Sequence, residues 1–307
     1  MWCFRDHLVV LRDRGPLVTS AVAVSMATAA IARGDARYPS SLLDLASPPA
    51  RIWARGDRRL LDMPCVAVVG TRRATQYAER VTAQIATTLV RAGACVVSGL
   101  ARGVDGTAHR AALAADGATI AVLGTGVDVV YPRAHVALQE EIAGRGLLLS
   151  ELEPSNRAHG GSFPNRNRII AAISSVTIVV EGGIGSGALI TAEHARDLNR
   201  IVAAVPGPID VPQSRGSNEL LRDGAHPITS MADLLALTGL TAPITIGDLP
   251  KDGCERRIWD ALALGAADID TLCSRARLPA HEGMAAVSVL EMRGLIECAL
   301  SGEVRRL

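Results

Sequence analysis

Phe163 is one of two phenylalanines in a chain of 307 residues, and it opens the segment Phe163-Pro164-Asn165-Arg166-Asn167-Arg168 behind Gly161. An aromatic ring beside guanidinium groups offers a stacking face together with phosphate neutralisation, the two interactions single-stranded nucleic acid requires. The same residues also suit a buried ring at a solvated helix start, so their neighbours must choose between the readings. Four further segments carry anion-binding chemistry: Gly70 to Arg73, Ser98 to Asp105, Gly124 to Asp128, and Glu181 to Gly187. Each is rich in glycine, which lets the backbone approach a ligand and aim its amides at an anion. Arg72 and Arg102 lie inside two of them, Gly99 and Gly126 shape others, and Gly185-Ser186-Gly187 has the form of a helix N-terminus. A phosphate-bearing ligand is the chemistry these residue types share.

The elements that must position them are legible as apolar runs. Residues 66–70, 95–98, 119–123, 147–150, 176–180 and 201–205 are apolar almost throughout, as strands buried on both faces must be. Helical stretches separate them, the first over residues 75–92. The expected architecture is an α/β doubly wound, mainly parallel sheet, with its ligand beyond the carboxyl ends of the strands, where the glycine-rich segments fall. Asp105 and His109, four apart at a helix start, are expected to hydrogen-bond each other and fix that turn. Asp128, Tyr131 and Pro132 are read as turn-fixing residues too.

Composition narrows the chemistry. Lys251 is the single lysine among 32 basic residues, which excludes the lysine-dependent phosphate loop of many NTPases and any Schiff base elsewhere in the chain. The Gly124-Thr125-Gly126 pair has Val129 where a dinucleotide fingerprint needs its third glycine, and Ser98 ends the second strand where such a site needs an acid, so nicotinamide binding is excluded. Six scattered cysteines show neither zinc nor redox spacing, so neither metal nor cofactor is expected, and reduced thiols point to the cytoplasm. The apolar run 16–32 is too short and too interrupted by flanking charge for a membrane span, and is expected to be a helix from a small N-terminal domain. The net charge of +1 is distributed as +4 over residues 1–61, −1 over 62–238 and −2 over 239–307. A polyanion must therefore be held by a local cluster.

Taken together, the segments running from Ser98 to His109, Leu123 to Pro132, Phe163 to Arg168 and Ser186 to Ala192 resemble the DNA-processing protein A family (DprA, also called Smf), over residues 38–235. The resemblance implies an extended Rossmann-like fold and a homodimer that binds and protects incoming single-stranded DNA and loads the RecA recombinase onto it during natural transformation. It implies a DNA pocket of Arg72, Phe163, Arg166 and Arg168, supported by Gly185, Ser186 and Gly187. The residues Gly70, Ser98, Gly99, Arg102, Asp105, His109, Gly124 and Gly126 would shape it. Arg72 and Arg166 are expected to contact phosphates, and Phe163 to stack on a base. Residues 217–222 are one candidate dimer surface. The Phe163 and Gly182 segments are also similar to the signature of nucleoside monophosphate phosphoribohydrolases. That chemistry needs a carboxylate just after the glycine loop, where this chain has Gly187, Ala188 and Leu189, with Glu193 about a turn too late.

The domain boundaries expected are an irregular N-terminal region and lead-in over 1–60, a Rossmann-like domain over 61–238, a linker over 239–253 and a winged-helix-like domain over 254–307. Many members of the family carry a complete helical domain before the sheet, which 1–36 is too short to form. In the last domain, helical patterns at 255–264, 269–276 and 283–293 precede a terminal hairpin. Its net acidity argues for protein contact or stability over duplex DNA binding.

Overall fold

The computed structural model describes residues 27–241, 250, 253–292, 295–299 and 302–306. The chain divides into two compact units, Met1–Thr241 and Ala242–Leu307. The first contains a nine-stranded sheet in the order β1-β2-β6-β5-β4-β3-β7-β8-β9. Its central strands are β3 (Cys65–Val69), β4 (Cys95–Ser98), β5 (Thr119–Val122), β6 (Leu147–Ser150), β7 (Val176–Val179) and β8 (Ile201–Ala204), all parallel. These are the six apolar runs of the sequence, and the edge strand β9 (His226–Pro227) adds a short parallel seventh.

Both faces of the sheet are covered, which is why the runs are apolar without alternation. Val66 and Val68 of β3 point to a core shared with Ile85 and Leu89 of α1 (Gln76–Arg91) and Ala108 and Ala112 of α2 (Val104–Ala114). Ala67 and Val69 point the other way, to Ile169 and Ile170 of α4 (Ser162–Ile173) and Ala192 of α5 (Gly187–Asp197). Each fully buried valine or isoleucine contributes about 1.5–3 kcal/mol. Thr75 caps α1 by accepting from the amide of Ala78, close to where the sequence places the helix start. The helix α3 (Val136–Arg145) packs beside α2 against β6.

The lead-in region contributes two strands that the sequence pattern did not announce. Strand β1 (Ala29–Ala32) pairs antiparallel with β2 (Arg51–Gly56), and β2 pairs antiparallel with β6. The described end of the 16–32 run is thus strand, not the helix expected; residues 1–26 lie outside the described residues. Alanine favours helix locally, and sheet pairing with β2 overrides that preference. After β8 the chain forms α6 (Arg215–Arg222) and α7 (Met231–Thr238). Ser217 and Leu220 of α6 are buried inside this unit, so the surface offered by 217–222 is narrower than the sequence suggests.

The second unit comprises α8 (Gly253–Ala261), α9 (Ile269–Ala276) and α10 (Ala280–Met292) with a three-stranded antiparallel sheet in the order β10-β12-β11. Strands β11 (Ile296–Cys298) and β12 (Glu303–Arg306) are the expected hairpin, and β10 (Ala267–Asp268) completes the sheet. Ile258, Leu272, Leu290, Ile296 and Val304 form its core. A methyl group at Gly283 would come within 2.1 Å of Cys273 Sγ, so α9 and α10 pack almost backbone to side chain. The exposed described positions of α10 include Glu282, Met284, Ser288 and Glu291 and no arginine or lysine, a poor face for duplex phosphates. Residues 242–249 and 251–252 of the expected linker lie outside the described residues.

Candidate nucleic-acid interface

Strands β4, β5 and β6 follow one another on one side of β3, and the chain then returns through α4 to place β7 on the other side. The reversal opens a crevice beyond the carboxyl ends of β3 and β7. Glu181 fixes its floor. Its carbonyl accepts from Thr71 N at 2.7 Å, and its buried carboxylate accepts from Thr75 N at 3.0 Å and Thr75 Oγ1 at 2.8 Å. The loop carrying Arg72 and Arg73 is thereby tied to β7. Its other side lies on Gly103, whose φ of +73° suits glycine and where a Cβ would sit 2.3 Å from the Thr71 carbonyl oxygen.

Arg166 crosses beneath this crevice. It is 7% exposed, donates from Nη1 to Gly99 O at 2.7 Å and to Val122 O, and from Nε to Asn167 Oδ1 at 3.2 Å. Burial pushes its pKa down to about 10; Asp105 opposes that shift and Arg72 reinforces it. Arg166 nonetheless lines both cavities, so the expected phosphate contact would have to be made from a side chain already engaged by the strand ends. The guanidinium bridges the ends of β4 and β5, and Nη2 is the one nitrogen without a hydrogen-bond acceptor among the described residues. Asp105 Oδ2 accepts from Gly99 N at 3.1 Å and Ala101 N at 3.3 Å, which closes the turn after β4, while burial raises its pKa.

His109 does not bond to Asp105 as expected. The Thr119 hydroxyl donates its proton to Val96 O at 2.8 Å, so His109 Nδ1 is the donor across the 2.7 Å contact to Thr119 Oγ1. Burial, with the charges of His135 and Arg166 adding, pushes His109 down to about 3, and the ring is neutral. Both residues are structural, but each through its own partners, because their side chains leave the helix toward different strands.

Phe163 stands at the first turn of α4 as a half-buried wall between two cavities of about 890 and 530 Å³. Its ring covers Gly124, where a Cβ would lie 2.6 Å from Cδ1, and Arg72 lies over the ring with its guanidinium carbon 5.8 Å from the centroid. Tyr131, which the sequence suggested was a turn residue, is 47% exposed, with its ring 5.0 Å from that of Phe163 and tilted 37°. The larger cavity is lined by six arginines, Arg72, Arg73, Arg102, Arg133, Arg157 and Arg166, and by no carboxylate. Sequence reasoning passed over Arg73, Arg133 and Arg157. The available signal was position, since each follows the carboxyl end of a strand.

Gly99 and Gly124 line the larger cavity; Gly70, Asp105, Ser186 and Gly187 line the smaller. Ser186 precedes α5 with its hydroxyl buried and unpartnered among the described residues. Gly185, Ser98, Gly126 and His109 line neither cavity. Gly185 turns the loop at φ +72°, Ser98 Oγ donates to Val68 O at 2.7 Å, and Gly126 is pressed against the Glu153 and Pro154 carbonyls. Arg168 lines neither cavity. It makes two 2.6 Å contacts from Nη2 to the Glu151 carboxylate, with Nε donating to Asn165 at 3.0 Å.

Residues 29–239 match the family described as DNA recombination-mediator protein A, and residues 248–302 match the DprA winged helix domain. The chain belongs to the DNA recombination-mediator protein A family. It is 42% identical over 261 residues to a DNA processing protein DprA of Mycobacterium tuberculosis strain H37Rv, covering 81% of this chain and 67% of that one. Among solved structures of the family, DNA processing protein A of Streptococcus pneumoniae superposes with a TM-score of 0.66 at 40% identity, covering 68% of this chain and 73% of the other. That of Helicobacter pylori, whose structure describes a single-stranded DNA binding mode, gives 0.62 at 34% identity, covering 68% and 94%. As a DprA-family chain it has the mainly parallel sheet and the C-terminal winged helix read from the sequence. Within this DprA-type sheet, Glu193 is exposed on α5 and lines neither cavity.

Proposed function

We propose that this protein is a single-stranded DNA-binding recombination mediator that holds the strand in the arginine-lined cavity and loads a RecA-type recombinase onto it. The observation that carries the reading is Phe163, presented between Arg72 and Tyr131 over a cavity with six arginines and no carboxylate. A stacking platform with phosphate-directed cations holds bases of any sequence and requires them unpaired. The Helicobacter pylori relative, with its described single-stranded DNA binding mode, supports the same reading. Binding should favour single-stranded over duplex oligonucleotides across a salt series in a gel shift. Equal affinity for duplex would remove the reading. The mediator role adds protection of incoming DNA during natural transformation, a homodimer and a cytoplasmic setting. Light scattering at micromolar concentration and capture of the cognate recombinase test the assembly, and a monomer that captures none would leave DNA binding alone.

A further inference from the structure

We infer that the larger cavity recognises a terminal phosphate, the phosphomonoester of a strand end or the polyphosphate of a nucleotide, in preference to the diesters of a continuous strand. The inference rests on the single-strand reading above and names the chemical group that the same site selects.

Four loops deliver the charge. Arg72 and Arg73 follow β3, Arg102 follows β4, Arg133 follows β5 and Arg157 follows β6, and all five are exposed. Among the described residues, no carboxylate lies within ion-pair distance of any of them, and none lines the cavity they surround. These five stand around one cavity, and Arg166 adds a sixth guanidinium from below.

The cavity volume of about 890 Å³ falls in the range of small-molecule sites, roughly 300–1,000 Å³. A continuous strand brings one negative charge per nucleotide, and each charge comes with a sugar and a base that need space. Few diesters therefore enter, and they leave most of the five exposed guanidiniums without a counter-charge. A phosphomonoester carries about −1.5 to −2 at neutral pH and presents three acceptor oxygens, and a polyphosphate carries more. Arginine forks bind such groups bidentately, so the densest phosphate relieves most of the repulsion among these loops. Phe163 and Tyr131, 5.0 Å apart, leave an aromatic wall for the base of that nucleotide.

The test uses the full chain and fluorescence anisotropy with short oligonucleotides of one sequence carrying a 5′-phosphate, a 3′-phosphate or only hydroxyl ends, beside a circular strand. A terminal phosphate at one end should tighten binding roughly five- to tenfold over the hydroxyl oligonucleotide, and which end does so identifies the strand polarity. Deoxythymidine triphosphate should displace the hydroxyl oligonucleotide more effectively than deoxythymidine does. Arg133→Ala and Arg157→Ala should bring the phosphate-to-hydroxyl ratio toward one, with melting temperature confirming that each variant is folded. Equal affinity for all ends, with displacement no better by triphosphate than by nucleoside, overturns the terminal-phosphate inference and leaves single-strand binding standing. Failure to bind any strand removes the underlying reading instead.

Discussion

Arg166 Nη1 donates to the main-chain carbonyl of Gly99 at 2.7 Å, and a methyl group on Gly99 would meet Arg166 Nη2 at 2.5 Å. The arginine and the glycine thus specify each other. A buried guanidinium replaces the cross-strand bonds that β4 and β5 cannot make once they diverge at the crevice.

Arg166→Ala should therefore behave first as a stability variant. Loss of the donor leaves the Gly99 and Val122 carbonyls unpaired and Asp105 buried without its nearby countercharge, a destabilisation of about 3 kcal/mol. Arg166→Lys should not restore it, since an ammonium lacks the planar fork. Urea unfolding checks both, and an Arg166→Ala protein of unchanged stability that binds DNA poorly would make a direct phosphate contact the residue's main role.

Arg168→Ala should leave DNA affinity within about twofold and cost about 1 kcal/mol of stability, because it breaks a pair with Glu151 of which neither member lines a cavity. Glu151→Gln should reproduce the stability loss. A tenfold loss of affinity in a folded Arg168→Ala protein would show that the pair opens to bind DNA.

Phe163→Ala and Arg72→Ala should separate the stacking contribution from the ionic one. Removal of the ring should weaken single-strand binding by about 1–3 kcal/mol with the salt slope nearly unchanged. Removal of Arg72 should lower the slope of log affinity against log salt by roughly 0.7. Phe163 is half-buried over Gly124, so the melting temperature must be measured beside affinity. A destabilised Phe163→Ala protein that binds normally when folded would make the ring a packing residue only.

Acid should destabilise the first unit through His109. Its folded pKa of about 3 lies below the unfolded value near 6.5, so the unfolded chain binds the proton first. The stability is fully present above pH 6.5 and is lost as pH falls toward 3, at up to about 1.4 kcal/mol per pH unit. Asp105 acts in the opposite sense, because burial raises its folded pKa and its protonation favours the fold as pH falls. His109→Gln should flatten the decline between about pH 6.5 and 5 in urea unfolding. An identical slope in both proteins would place the acid sensitivity elsewhere.

By itself the sequence determined the parallel sheet, the glycine-rich strand ends and the winged helix. Strands covered on both faces must be apolar throughout, and turns that meet a ligand or a helix closely need glycine, so both requirements are written locally. The same local logic missed β1 and β2, which become strands through pairing with each other and, for β2, with β6. Tertiary structure alone decided the fate of the arginines. Arg166 and Arg168 are two residues apart in one motif, yet one lies buried between strand ends and the other pairs with Glu151, while Arg73, Arg133 and Arg157 gather from three distant loops around Phe163. An arginine is identical in sequence whether its charge is buried, paired or free. The partners that settle the matter are brought near only when the strands assemble.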